Sequence, residues 1–207
     1  ITTIGIDRNL SRKLYRKFDE INIVSKDAKE KFDSVFPEFK DKTKVFYNII
    51  LKDEILKLAE EIGFEDNYTG LRLLTVGRIS KEKGQDLAIE ALKKILDRGI
   101  EAKLYLVGTG NFEKECKKLA VSLGIEDKVI FLGAKSNPYP YMKECDIYIQ
   151  PSRYEGYCIT LAEALIFNKK IVATKFTGAL EQLKERDNHQ ICDYTSESIV
   201  EGIIKLI

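Results

Sequence analysis

Glu155 and Glu163 stand with seven residues between them in the stretch DIYIQPSRYEGYCITLAEAL at 146–165. The run Ile147, Tyr148, Ile149 reads as a strand, Pro151 and Ser152 stop it, and a turn at Glu155-Gly156 precedes an apolar, helix-forming segment from about Ile159. Strand, loop and helix in that order bring both carboxylates to one helix N-terminus, where unpaired N–H groups and the helix dipole favour an anion. A phosphorylated sugar meets both demands, with phosphate on the N–H groups and sugar hydroxyls on the carboxylates. Thr160 followed three residues later by Glu163 also fits a capping box, which would make Glu163 a structural helix-start residue. On these residues alone the two readings of Glu163 stand side by side.

Arg78 and Lys83, in VGRISKEKG, flank a second helix start. They could hold a diphosphate, the guanidinium through a planar fork and the ammonium as a point charge, but Lys81, Glu82 and Lys83 fit a solvated helix start equally well. VGTGN at 107–111 is not a GxGxxG fingerprint, although Gly108 and Gly110 suit a tight turn that lets backbone approach a ligand. FLGAKSNPYPYM at 131–142 offers an apolar wall after Gly133 on which a nucleobase could rest, while Tyr139 and Tyr141 suit packing as well. Cys158 sits near a helix N-terminus, yet no histidine accompanies it, so a nucleophilic role is not adopted. His189 lies in a polar run at 185–190 and reads as a surface-loop residue.

The elements that must position these groups alternate. Strand-like runs at 71–76, 103–107, 129–133, 146–150 and 171–174 are separated by helical patterns at about 82–98, 111–124, 139–143, 159 onward and 179–184, with a last helix at 196–206. That rhythm predicts an α/β, doubly wound parallel sheet with ligand loops gathered at the carboxyl ends of the strands. Upstream, a weak helical stripe at 10–18, a strand at 21–24, a helix at 26–35, a strand at 44–47 and a helix at 52–62 precede this pattern.

The 207 residues are 44% hydrophobic and 32% charged, enough for one globular core with additional chain. With 34 basic against 33 acidic side chains, no broad field recommends nucleic acid or a membrane as the main partner. Cys116, Cys145, Cys158 and Cys192 show no CxxC spacing and the single His189 completes no zinc set, so free thiols in a reducing cytosol are expected. No apolar run matches a membrane span, and charges at Asp7, Arg8, Arg12 and Lys13 interrupt any signal-peptide core.

Taken together, TVGRISKEKG (75–84), YLVGTGNFEKE (105–115), VIFLGAKSNPYPYMKECDIYIQPSRYEGYCITLAEAL (129–165) and IVATKFTGALEQL (171–183) resemble, in order, the nucleotide-sugar-binding C-terminal half of a GT-B retaining glycosyltransferase of family 4. The resemblance implies a Rossmann-like domain, one half of a GT-B fold, at 49–207, preceded at 1–48 by the tail of an acceptor domain and the crossover. It implies that Arg78 and Lys83 clamp the donor diphosphate and stabilise the leaving nucleotide, that Glu155 contacts donor-sugar hydroxyls, and that Glu163 holds the ribose. Gly133, Ala134 and Lys135 would surround the base, and Gly156, Tyr157, Cys158, Ile159 and Thr160 would meet sugar and phosphate. It further implies a UDP- or GDP-linked donor, no metal and no other cofactor, and transfer with retention to a glycan or lipid-linked acceptor, as in bacterial surface polysaccharide synthesis.

Such a chain is expected in the cytoplasm, at the inner face of the membrane where the longer protein associates with it, and to be inactive in transfer without the acceptor half. Cys158 departs from the glycine many relatives carry, and the segment ERDNHQICDYTS lacks a customary glycine. Other readings are a non-catalytic nucleotide-binding module and a GT-B nucleotide-sugar epimerase; a dehydrogenase is disfavoured by the missing fingerprint and acidic ribose partner.

Overall fold

In the computed structural model, which describes residues 8–183 and 188–207, the chain opens with α1 (Arg8–Tyr15), β1 (Ile21–Ile23), α2 (Lys26–Val35), a 3-10 turn (Pro37–Lys42) and β2 (Thr43–Val45). Ser25 starts α2, its hydroxyl accepting from the Ala28 N–H at 3.1 Å. Phe32, Phe36 and Phe39 pack with Ile23 into a small core beside the parallel β1-β2 pair.

After α3 (Lys52–Leu58) come β3 (Leu71–Val76), α4 (Gln85–Asp97), β4 (Ala102–Val107), α5 (Glu113–Ser122), β5 (Val129–Gly133) and α6 (Tyr139–Glu144). Then follow β6 (Ile147–Gln150), α7 (Ile159–Ile166), β7 (Lys170–Thr174), α8 (Ala179–Leu183), β8 (His189–Cys192) and α9 (Ser196–Leu206). The last six strands form one parallel sheet in the order β5-β4-β3-β6-β7-β8. Side-chain alternation divides its core in two. Leu73, Leu104, Leu106, Ile147, Ile149 and Val172 bury against α4, α5 and α9, whereas Leu74, Val76, Tyr105, Val107, Tyr148 and Ile171 bury against α6, α7 and α8. Both faces are therefore covered and the strands are apolar on both sides, which is the doubly wound arrangement. The strand order reverses between β3 and β6, so the loops leaving these neighbours run to opposite faces and open a crevice between them.

Several elements differ from the sequence reading in ways with identifiable causes. Helix α3 ends at Leu58 because the chain leaves it to bury Phe64 against Tyr105 and Tyr141, with ring centroids 4.5 and 5.1 Å away. Helix α4 begins at Gln85: Lys81–Lys83 is a 3-10 turn, and Gly84, at φ +72°, separates it from the helix. Asn111 does not cap α5, which starts after Phe112. His189 is not a loop residue but begins the edge strand β8, in register with Ile171 of β7; an edge strand tolerates the polar pattern that concealed it. Lys184 and the first part of the 185–190 run lie outside the described residues.

Gly108 and Gly110 are required by the packing of the chain itself. A Cβ at Gly108 (φ +135°) would lie 2.0 Å from the Gly77 carbonyl oxygen, and one at Gly110 would lie 2.0 Å from that of Ile79. The loops after β3 and β4 close directly on each other, Ile79 N–H donating to the Thr109 oxygen at 2.9 Å. Gly108→Ala meets both an unfavourable φ and a backbone clash, so it should cost about 2–3 kcal/mol in urea unfolding; an unchanged midpoint would show that the loop contact is not rigid.

Candidate functional site

The loop after β3 is shaped by Gln85, the first residue of α4. Its buried amide donates to the Arg78 carbonyl oxygen at 3.0 Å and its oxygen accepts from the Ser80 N–H at 3.4 Å, drawing the loop around the helix start. Arg78 projects from this loop, exposed, and its guanidinium makes no hydrogen bond or ion pair with the described residues. Gly84 lets the loop touch its neighbour across the crevice, since a Cβ there would fall 2.1 Å from the Pro151 carbonyl oxygen.

From the other side, Arg153 reaches over from the β6 loop. Its backbone N–H donates to the Glu82 oxygen at 2.7 Å, and its guanidinium donates to the Lys81 carbonyl oxygen and, as a two-pronged fork, to Asp86 at 2.7 and 3.0 Å. Asp86 is buried and also pairs with Lys81 at 2.8 Å. Burial, the largest single influence, works against charge on Asp86, but the hydrogen bonds from Arg153 and Lys81 outweigh it and hold the carboxyl below the usual range.

This clamp sets Lys83 against Glu155. Lys83 Nζ donates to Glu155 Oε1 at 2.5 Å, with side chains only 22% and 12% exposed, and Ser152 Oγ donates to the same oxygen at 2.9 Å. The sequence-derived cation and carboxylate, 72 positions apart in the chain, are thus in direct contact.

Glu163 has a different partner. The capping box is not formed: Cys158 is the N-cap of α7 without a side-chain cap bond, Thr160 bonds Gln150 at 3.3 Å, and Glu163 accepts from the Tyr139 hydroxyl at 3.0 Å. Both groups line a cavity of about 200 Å³ with Ile159, Glu54, Ile55, Leu58 and, just before α3, Ile49, Ile50 and Leu51. Burial raises the Glu163 carboxyl above its ordinary range against the opposing Tyr139 hydrogen bond, and burial beside Glu163 pushes the Tyr139 phenol up to about 12. Tyr139 is accordingly a neutral donor at any physiological pH. The joining residues Gly156 and Tyr157 are half-buried, the Gly156 oxygen accepting from Ser25 Oγ at 3.0 Å and the Tyr157 ring lying 6.1 Å from Tyr47.

The remaining expected residues lie at the end of β5 and the start of α7. Gly133 turns at φ +71°, and Ala134 and Lys135 are exposed beyond it, the Lys135 ammonium 5.8 Å over the Tyr141 ring. Cys158 is buried, and burial pushes its thiol up to about 12, so the helix N-terminus does not activate it. All four cysteines are free and buried. Among the described residues no group of three or more His, Cys, Asp or Glu is placed to hold a metal ion, and no helix is long and apolar enough to cross a membrane. Missed in the sequence were Gln85, Asp86 and Arg153; the only local signal was a charged pair at matching loop positions, which does not reveal contact across a crevice.

The family model described as glycosyl transferases group 1 matches residues 61–207. An uncharacterised glycosyltransferase of Methanocaldococcus jannaschii is 32% identical over 180 residues, covering 82% of this chain and 45% of the relative. The N-acetylgalactosamine-N,N'-diacetylbacillosaminyl-diphospho-undecaprenol 4-alpha-N-acetylgalactosaminyltransferase of Campylobacter jejuni is 31% identical over 179 residues, covering 86% of this chain and 47% of the relative. The crystal structure of Anabaena HepE in complex with UDP superimposes with a TM-score of 0.80 at 22% identity over 99% of this chain and 59% of that one. The chain spans a little under half the length of these curated relatives.

Removing the fork by Arg153→Met leaves the buried Asp86 carboxylate with Lys81 as its one remaining ion-pair partner among the described residues and should cost about 3 kcal/mol in denaturant unfolding at pH 7. Because the folded Asp86 value is depressed, its contribution is complete above the ordinary aspartate range of about 3.9 and disappears as pH falls through the lower folded value. Wild type should therefore lose more stability across that acid window than Arg153→Met; equal losses would show that the fork does not hold the charge.

Proposed function

Because this chain belongs to the glycosyl transferases group 1 family, we propose that residues 49–207 bind the nucleotide-diphosphate sugar of a retaining transferase in the crevice between the β3 and β6 loops. The half-buried Lys83–Glu155 contact at the switch point supports this most directly. It puts a cation for the diphosphate and a carboxylate for a sugar hydroxyl within one bond of each other. Arg78, exposed on the same loop, supplies a second cation whose fork can close on a phosphate.

In this mechanism Lys83 and Arg78 meet negative charge as it grows on the departing phosphate, and the position of Lys83, fixed by Glu155, avoids reorganisation during the step. Glu155 orients the sugar without attacking it. Glu163, held by Tyr139, takes the ribose hydroxyls, and Gly133, Ala134 and Lys135 border the base, which is uracil or guanine. The two side chains provide the charge that a divalent cation supplies elsewhere, so transfer is proposed to be metal-independent. The acceptor is a glycan or lipid-linked sugar bound by the remainder of the relatives' length, and the longer protein acts in surface-polysaccharide synthesis at the cytoplasmic side of the membrane. The UDP of HepE and the lipid-linked substrate named for the Campylobacter enzyme fit this reading of the donor and acceptor.

Calorimetric titration of UDP and of GDP into the 207-residue chain tests the site and identifies the base. One nucleotide should bind, unaffected by EDTA, and Arg78→Ala or Lys83→Ala should each weaken it about tenfold or more, the loss of one charge-assisted contact. Binding of neither nucleotide, or full affinity in both variants, would overturn the assignment. In the longer protein, Glu155→Gln should lower transfer rate at saturating donor far more than it lowers nucleotide affinity.

A further inference from the structure

Behind Glu155 runs a chain of buried polar side chains that packing alone does not require. Tyr148, Gln150 and Ser152 are spaced by two, so they share the sheet face that meets α7, and their side chains are sealed in the interior. The Tyr148 hydroxyl donates to Gln150 Oε1 at 2.8 Å, Gln150 Nε2 donates to Ser152 Oγ at 2.8 Å, and Ser152 Oγ donates to Glu155 Oε1 at 2.9 Å. Thr160 Oγ1 adds a second donor to Gln150 Oε1 at 3.3 Å, and Thr174 Oγ1 pins the Ser152 carbonyl oxygen at 2.5 Å.

The order of donors is dictated from the solvent end. A carboxylate only accepts, so the single Ser152 hydrogen is committed to Glu155, which leaves the Ser152 oxygen to accept from the Gln150 amide nitrogen. The Gln150 oxygen must then face the two hydroxyls of Tyr148 and Thr160. Burying a glutamine in the central strand of a parallel sheet is costly unless both ends are satisfied, and here both are. The chain ends on Oε1, which also takes Lys83; Oε2 accepts nothing from the described residues and is not among the polar atoms sealed from solvent without a partner.

We propose that Gln150 and Ser152 are positioning residues that fix the rotation of the Glu155 carboxylate, tying Oε1 to the protein and presenting Oε2 to a hydroxyl of the donor sugar. This deepens the donor-site reading and rests on it for the identity of the ligand. The protein side is independent: a carboxylate held at one oxygen by two donors has a defined free oxygen whatever binds it.

Two arms test this. In the first, Ser152→Ala and Gln150→Met are titrated with UDP and GDP and with UDP-glucose, UDP-N-acetylglucosamine and GDP-mannose. The free nucleotide that wild type binds should bind each variant within about twofold, while the additional affinity conferred by the preferred sugar should fall about tenfold. Sugar and free nucleotide weakening together, or an undiminished sugar contribution, would overturn the proposal. The second arm needs no ligand. In a double-mutant cycle of Ser152→Ala with Glu155→Met, which removes the acceptor, the two substitutions should couple by about fivefold in the unfolding equilibrium constant; additive effects would refute the hydrogen-bonded chain. If wild type bound no nucleotide, the donor assignment would fall while the cycle still decided whether Ser152 holds Glu155.

Discussion

The crossing of Arg153 onto Asp86 is the contact on which the crevice depends. At the point where strand order reverses, successive loops leave for opposite faces of the sheet and nothing in the hydrogen-bonded ladder joins them. The guanidinium fork, the Arg153 N–H on Glu82 and the close approach of Gly84 to Pro151 supply that missing joint. A buried ion pair contributes little net stability against an apolar substitute, because desolvation consumes most of its attraction. Its value here is geometric: it fixes Lys83, three residues before Asp86, opposite Glu155, two residues after Arg153.

Charge is divided across the crevice in a consistent way. Outside the Arg153–Asp86 joint, the β3 loop offers the cations Arg78 and Lys83 and the β6 loop the carboxylate Glu155, so a diphosphate and a sugar can each face complementary groups while remaining covalently joined. The segment around α2 takes part in this arrangement. Ser25 holds the Gly156 carbonyl, the Lys26 N–H reaches Glu181 at 2.9 Å, and the Gly178 N–H reaches Asp27 at 3.1 Å, tying the start of α2 to the loops after β6 and β7 and to α8. The loop after Glu155 is therefore also supported from the start of α2.

Much of this was legible in the residues. Alternating apolar runs and glycine stops gave the doubly wound sheet, and Lys26–Val35, Leu71–Val76 and Ser196–Leu206 have the bounds that their patterns suggest, because local periodicity and caps act within one element. Contacts decided by distant chain were not. Gly108 suits a ligand-approach turn until Gly77 is found against it, the two readings of Glu163 stay level until Tyr139 is found on it, and nothing in the sequence singles out Arg153 until Asp86 comes within reach. Lys83 and Glu155 were singled out by type and loop position; their direct pairing needed three-dimensional register. Strand β8 escaped notice because an edge strand need not alternate.

The spatial claim that a nucleotide sugar lies between the β3 and β6 loops is met most directly by a crystal structure of the chain with the nucleotide diphosphate that it binds. The diphosphate should rest on Arg78 and Lys83 with the ribose at Glu163. A nucleotide bound away from all three side chains, or against the opposite end of the sheet, would contradict it.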